Sequence, residues 1–174
     1  LQVSVYDGAA VVTSSGSLVT LTASQTGRID EIGRYVVASP GQDLRGSFQL
    51  VRDGMQWRID RLPQGLLLSA SDVDRAYRSF AVYFFNPSFS ALVPDARMIP
   101  VLGPGQGTTL VRYLLDGPSD WLAPAVRTGF PDGVGLNIES VPIDGGVARV
   151  DLKSSVLLAD DGTREALSQQ LVWT

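Results

Sequence analysis

The side chains able to do chemistry in these 174 residues are carboxylates, hydroxyls, tyrosines, thirteen arginines and one lysine, Lys153; histidine and cysteine are absent. That set removes the usual general base at neutral pH and the thiolate nucleophile, and leaves a Schiff-base lysine at one position only. It also removes the imidazole and thiolate ligands that hold zinc, copper or haem iron. A binding or structural role is therefore expected ahead of an enzymatic one, with no catalytic residue, metal or cofactor site.

Four arrangements come nearest to a site. Gly103-Pro104-Gly105-Gln106-Gly107 before Thr108 could cradle an anion at a helix N-terminus. It lacks both the Gly-Lys-Ser/Thr ending of a P-loop and the spacing of a dinucleotide loop, so it reads as a flexible connection. Asp72 with Asp74, and Asp160 with Asp161, could serve acid–base chemistry or calcium, but EF-hand spacing is missing and both pairs stand where helices begin. Capping is the simpler reading. A Ser–Lys dyad would need Lys153 beside Ser154, Ser155 or another serine, and no Ser-x-x-Lys string exists, since Val150 stands three residues before Lys153. Tyr6, Asp7, Asp30 and Tyr35 could furnish an isomerase-like pocket if the first sheet forms a cone, but they are also ordinary strand and turn residues.

The aromatic residues divide differently. Trp57, Trp121 and Trp173 each lie in an apolar pattern, which predicts core packing. Phe89 lies in the loop Pro87-Ser88-Phe89-Ser90, where an exposed ring could anchor a partner, although packing against its own domain is the plainer reading.

The bulk composition narrows the partners. An apolar content of 44% suits one domain or two small ones. With a net charge of −4 and arginines spread singly, the basic footprint of a nucleic-acid binder is missing. No apolar stretch is long enough to span a bilayer, and no signal peptide is recognisable at the start. Opening on Leu-Gln-Val-Ser-Val, already alternating like a strand, the chain reads as a piece whose true N-terminus lies upstream. The absence of cysteine leaves the compartment open. The bias to arginine over lysine suggests a GC-rich genome.

The elements that must position these residues fall into two grammars. Up to about residue 68 nearly everything reads as strand. Asp7-Gly8 reads as a turn, Leu18 to Ala23 alternates apolar with hydroxyl residues, and Ile32, Tyr35 and Val37 mark the segment to Ala38. Asp53-Gly54 reads as a two-residue hairpin turn between Phe48–Arg52 and Met55–Ile59, with Phe48, Leu50, Trp57 and Ile59 on one face and Arg52, Gln56 and Arg58 partly on the other. Leu62-Pro63-Gln64-Gly65 should end the sheet, whose uncovered face predicts helices upstream of residue 1.

After Leu68 helices and short strands alternate. Ser71 can cap a helix over Asp72 to Tyr77, with Asp74 at the capping-box position. Val82 to Phe85 reads as a buried strand, and the stretches from Leu92 and from Met98 to Leu102 as a second strand region confined by its prolines. Thr108 should cap a helix striped by Leu110, Val111, Leu114 and Leu115 and stopped by Gly117-Pro118. Ser119 should cap another short helix, ended by Gly129. Ile138–Ile143 and Val147–Leu152 predict a hairpin around Asp144-Gly145-Gly146. Asp160-Asp161-Gly162-Thr163 should open a last helix with Leu167 and Leu171 on one face, cut off at Thr174.

Several strings go further. Trp57-Arg58-Ile59-Asp60-Arg61-Leu62-Pro63-Gln64-Gly65-Leu66-Leu67-Leu68-Ser69, Val82-Tyr83-Phe84-Phe85-Asn86-Pro87 and Leu92-Val93-Pro94-Asp95-Ala96-Arg97 form a recognisable series. It continues in Leu115-Asp116-Gly117-Pro118-Ser119-Asp120-Trp121-Leu122-Ala123-Pro124-Ala125-Val126-Arg127-Thr128, then Gly146 to Leu152 and Leu167 to Thr174. Together they resemble the LpqB lipoproteins of actinobacteria over nearly the whole chain. The resemblance implies an α+β chain: a curved antiparallel NTF2-like sheet, incomplete, over residues 1–70, a short helical linker over 71–78, and a small α+β GerMN domain over 79–174, truncated at its C-terminal end. The family's β-propeller and lipid-bearing cysteine are outside this sequence.

It further implies an accessory lipoprotein, extracytoplasmic and lipid-anchored to the cell membrane in the full-length protein. Its expected partner is the extracytoplasmic domain of the sensor histidine kinase of the MtrAB two-component system, which governs cell envelope and division. The candidate contact surface lies near Phe89 and Arg97. The alternative is a small-molecule or peptidoglycan-fragment binder with a closed apolar pocket lined by Tyr35, Phe48 and Trp57. A third possibility, an isomerase or hydrolase, would depend on Asp30.

Overall fold

The computed structural model describes residues 2–101 and 105–174. The chain divides into two compact units, Leu1–Ala76 and Tyr77–Thr174. The α+β architecture that the resemblance implied, a curved open sheet followed by a small mixed unit, is the one observed.

The first unit is a sheet of β1 (Val3–Ser15), β2 (Leu18–Ile29), β3 (Tyr35–Val37), β4 (Asp43–Asp53), β5 (Gln56–Arg61) and β6 (Leu66–Ser69), ordered β5-β4-β2-β1-β6 with β3 also against β2. Every pairing is antiparallel except β6, which runs parallel to β1. Period-2 alternation puts Val3, Val5, Ala23, Ile29 and Leu44 out of water. The curl shows at Gly46 of β4. A Cβ there would come within 2.7 Å of Leu67 Cδ1 on β6, a strand three places away in the sheet. Glycine permits that close approach. The helix α1 (Ala70–Ala76) closes the unit and buries Val73.

Four local expectations are corrected here. Asp7-Gly8 is a bulge within one long strand, since the register with β2 shifts between Asp7 and Val11 and Gly8 takes φ 76°. The β4–β5 turn is Gly54-Met55: Asp53 pairs with Gln56, and Gly54 alone takes positive φ. Trp57 is consequently opposite Arg52, so Arg52 shares the face of Phe48, Leu50, Trp57 and Ile59. The sheet does not end at Gly65; Leu66 N–H donates to Gln2 O and β6 rejoins the sheet. The cap of α1 is Ser69 and not Ser71: Ser69 Oγ accepts from Asp72 N–H at 3.1 Å and donates to Asp72 Oδ2 at 2.6 Å. Ser69 is thus the N-cap, two residues earlier than the sequence suggests, with its hydroxyl and the Asp72 carboxylate paired to each other.

The second unit begins with the hairpin β7 (Tyr77–Phe85) and β8 (Leu92–Pro100), whose register places Val82 opposite Asp95 and Phe84 opposite Val93. The helix α2 (Gln106–Asp116), a 3₁₀ turn at Ala123–Ala125, the two-residue strands β9 (Ile143–Asp144) and β10 (Val147–Ala148), another 3₁₀ turn at Ser154–Leu158, and α3 (Asp161–Trp173) follow. Val82 and Phe84 of β7, Leu114 of α2, Leu122, Val126, Phe130 and Leu167 of α3 form the main core. Val111, Leu136 and Val141 form a second cluster, with Leu115 and Leu171 packed against both.

The apolar stripe of α2 is as expected, but Gly105 is its N-cap. Thr108 lies inside the helix, where its hydroxyl accepts from Val141 N–H at 2.9 Å. Gly103 and Pro104 of the glycine-rich stretch, and Leu102 of the second strand region, lie outside the described residues. After Ser119, whose hydroxyl donates to Asp95, only the short 3₁₀ turn forms.

Candidate binding cleft

Two buried polar clamps shape the second unit. On β8, residues 93, 95, 97 and 99 alternate onto the covered face, so Asp95 and Arg97 are carried inside with Ile99. Asp95 Oδ2 accepts from Arg97 Nη2 at 2.7 Å and from Ser119 N–H at 2.8 Å, while Oδ1 accepts from Ser119 Oγ at 2.9 Å. Arg97 Nη2 also donates to Gly117 O at 3.0 Å, and its guanidinium sits 5.8 Å from the Tyr113 ring centre. This network pins the turn after α2 to the hairpin.

The second clamp is Gln170 of α3, fully buried. Its Nε2 donates to Tyr83 O at 2.8 Å, and its Oε1 accepts from Gly129 N–H. Gly129 has no room for a side chain, since a Cβ would lie 2.9 Å from both the backbone and the Cβ of Ala166. Phe85 also exchanges two backbone hydrogen bonds with Arg127. The strand end, the Thr128–Phe130 loop and α3 are thereby fixed against one another.

These elements enclose a cleft of about 810 Å³. Phe85, Gly129, Phe130 and Ala166 contribute its covered surface, and Phe89, Leu158, Asp160 and Glu165 its accessible surface. Phe89 remains 48% exposed, and its ring stacks on Phe85 with centres 5.0 Å apart. It is the only non-glycine among the described residues with positive φ, at 56°. The Asn86 side chain imposes that conformation by accepting from Ser90 N–H at 2.9 Å and Ala91 N–H at 3.2 Å, while Phe89 N–H donates to Asn86 O. Leu158 is 90% exposed.

Asp160 caps α3, accepting from Thr163 N–H at 2.9 Å and from the Thr163 hydroxyl at 3.1 Å. The Thr163 amide first, and its hydroxyl second, hold this carboxyl below the ordinary carboxylate range. The capping reading of Asp160–Asp161 and of Asp72 is thus the observed one, with Asp161 paired to Arg164 and Asp72 to Arg75. Among the described residues, no cluster of three or more acidic side chains could hold a metal ion.

The residues singled out from sequence are placed unevenly. Phe89 sits at the cleft. Arg97 does not offer a surface contact: it is 0% exposed and serves the internal clamp. Tyr35 packs its ring over Gly27 on the β2–β3 edge, where a Cβ would be 2.6 Å from the ring. Trp57 stands on the edge strand β5, 59% exposed, and Phe48 on β4 is half-buried. Trp121 and Trp173 are exposed as well, so the expectation of three core tryptophans is overturned. Asp30 organises a turn, with Oδ1 accepting from Ile32 N–H and Arg34 N–H and Oδ2 paired to Arg34 Nε at 3.2 Å. Sequence reasoning missed the roles of Gln170 and Asp95, and gave Ser119 as a helix cap where its amide and hydroxyl serve Asp95. The alternation Val93, Asp95, Arg97, Ile99 was the available signal for the Asp95 clamp; Gln170 had none.

Two family models match the chain: "Lipoprotein LpqB, N-terminal domain" over residues 1–74 and "Sporulation and spore germination" over residues 81–174. Lipoprotein LpqB of Thermobifida fusca is 44% identical over 147 residues, covering 82% of this chain and 23% of that protein. The LpqB lipoproteins of Mycobacterium leprae and Rhodococcus opacus are 32% and 29% identical, over 89% of this chain in each case and 28% and 27% of those proteins. The chain therefore spans about a quarter of the length of these relatives. No solved structure matches it significantly. Among the described residues no helix is long and apolar enough to cross a membrane. With both of its units matched by family models and relatives of one name aligned across the boundary between them, the chain belongs to the LpqB lipoprotein family.

Proposed function

We propose that this chain is a non-enzymatic protein-binding module of a lipid-anchored accessory protein outside the cytoplasm. It binds the extracytoplasmic domain of the MtrAB sensor histidine kinase and modulates its signalling. The observation that supports this reading is the cleft of the second unit, which presents an aromatic ring on a locked loop beside a covered apolar surface. The charged side chains lining the cleft are Asp160, committed to its cap, and Glu165. The lipoprotein name of the relatives supports attachment through an N-terminal lipid.

The test is sensor autophosphorylation in proteoliposomes with the chain supplied on the extracytoplasmic side. A concentration-dependent change in phosphorylation rate is expected; an unchanged rate at saturating chain would sink the modulatory role.

One observation favours a second reading for the first unit. A polar hollow of about 440 Å³ lies beside β3, lined by residues that include Gln25, Arg28, Ser39 and Gln42. Such a lining suits a hydroxyl- and amide-rich peptidoglycan fragment better than an apolar ligand. A thermal shift with muropeptides, lost in Arg28→Ala, is the expected result; no shift removes this reading.

A further inference from the structure

The chemistry of the cleft narrows what it takes. We propose that it is a docking groove for an extended protein segment carrying a large apolar side chain next to an arginine or lysine. This deepens the protein-binding reading above and rests on it.

The apolar half of the argument is burial. Phe85, Phe130 and Ala166 are each less than a tenth exposed, while Phe89 and Leu158 stand in water. An aromatic or branched side chain seated among them removes Phe89 and Leu158 from solvent, and aromatic anchors in such pockets carry most of the energy of peptide interfaces.

The polar half is charge. Asp160 and Glu165 are the charged residues that line the cleft, and no lysine or arginine does. Asp160 stays ionised through its Thr163 hydrogen bonds. A cationic side chain beside the apolar anchor finds two carboxylates and no opposing cation in the lining, whereas a membrane carrying anionic headgroups meets like charge. A second copy of this chain, itself at −4, is disfavoured for the same reason.

The third element is rigidity. Asn86 locks the Phe89 loop and Gln170 locks Gly129 to α3, so the groove exists before the partner arrives and little ordering entropy opposes binding.

The test is an amide NMR titration of the 174-residue chain with the blocked hexapeptide Gly-Arg-Phe-Leu-Arg-Gly and a counterpart with glutamate for both arginines. Saturable shifts at Phe89, Gly129, Glu165 and Ala166 are expected with the first peptide, and affinity lower by about tenfold or more with the second. Phe89→Gly and Glu165→Lys should each weaken the first peptide by about tenfold. Equal affinity for the two peptides, shifts elsewhere, unaffected variants or no saturation would overturn the groove, as would a preference for phosphatidylglycerol vesicles over peptide. The same variants titrated with the sensor domain separate the two claims. Undiminished sensor binding by variants that have lost the peptide keeps the groove, leaves the protein-binding reading standing and places the sensor contact elsewhere on the chain. Peptide binding with a silent sensor keeps the groove and removes the sensor as its occupant.

Discussion

Phe89 and Phe85 stack with ring centres 5.0 Å apart and planes 28° from parallel, one ring half in water and the other buried. The pair is held by a backbone that Phe89 adopts at a cost, since left-handed φ is unfavourable for a bulky residue by about 1–2 kcal/mol. The Asn86 hydrogen bonds to Ser90 and Ala91 offset that cost locally. An exposed ring kept in place against its own backbone preference is what directs attention to this loop.

Phe89→Gly should therefore be nearly neutral for stability. The lost stacking, about 0.5–1.5 kcal/mol, is balanced by release of the left-handed strain. Phe89→Ala keeps the strain and loses the ring, so it should be the less stable variant by about 1 kcal/mol. Urea unfolding of both checks the order, and a glycine variant weaker than the alanine variant would refute the strain argument.

The Asp95–Arg97 clamp makes a larger prediction. Asp95→Ala leaves a fully buried guanidinium without its carboxylate and the Ser119 amide and hydroxyl without an acceptor. Loss of one partner of a buried pair costs about 3–5 kcal/mol. The double change Asp95→Leu with Arg97→Met should be milder than Asp95→Ala alone. Chemical denaturation of the single and double variants decides it, and a single variant as stable as the parent would show the clamp to be dispensable.

Gln170→Leu keeps the volume of the buried side chain but removes its amide. Gly129 N–H and Tyr83 O then lose their partner, at about 1–3 kcal/mol for each buried group left unsatisfied. Hydrogen exchange at Gly129 should accelerate with the loss of stability. Exchange at Gly129 unchanged from the parent would place the clamp elsewhere.

Acid should loosen two helix starts together. The Ser69 hydroxyl, then Arg75, hold Asp72 below its ordinary value of 3.8, as Thr163 does for Asp160. Because the folded-state values are depressed, the stability they contribute is present above the ordinary value and is lost as pH falls through the depressed one. Helical circular dichroism should hold to about pH 4 and decline below it. Asp160→Asn, which still accepts the cap hydrogen bonds, should flatten the α3 share of that decline. An identical acid profile in the variant would remove Asp160 as a cause.

The sequence was readable where one periodicity governed one element. Alternation in Leu18–Ala23 marked β2, and the Leu110–Leu115 stripe marked α2, because each element buries a single face. The run Leu66-Leu67-Leu68 alternates with nothing, so β6 and its parallel return to β1 were hidden; a parallel pairing depends on residues some sixty positions apart. Ser69 and Ser71 both suit a cap, and only geometry chooses between them. The cleft was half legible: Phe89 stood out as a loop aromatic, whereas Gln170 and Glu165 look like any polar residues on a helix. Arg97 misled because its charge suggests a surface, while its place two residues after Asp95 on a covered strand face puts it inside.

Calorimetric titration of the chain with the purified extracytoplasmic sensor domain at physiological salt tests the proposed role most directly. Saturable binding in the micromolar range or tighter is predicted, weakened in Phe89→Gly. No heat at saturating concentrations would contradict it.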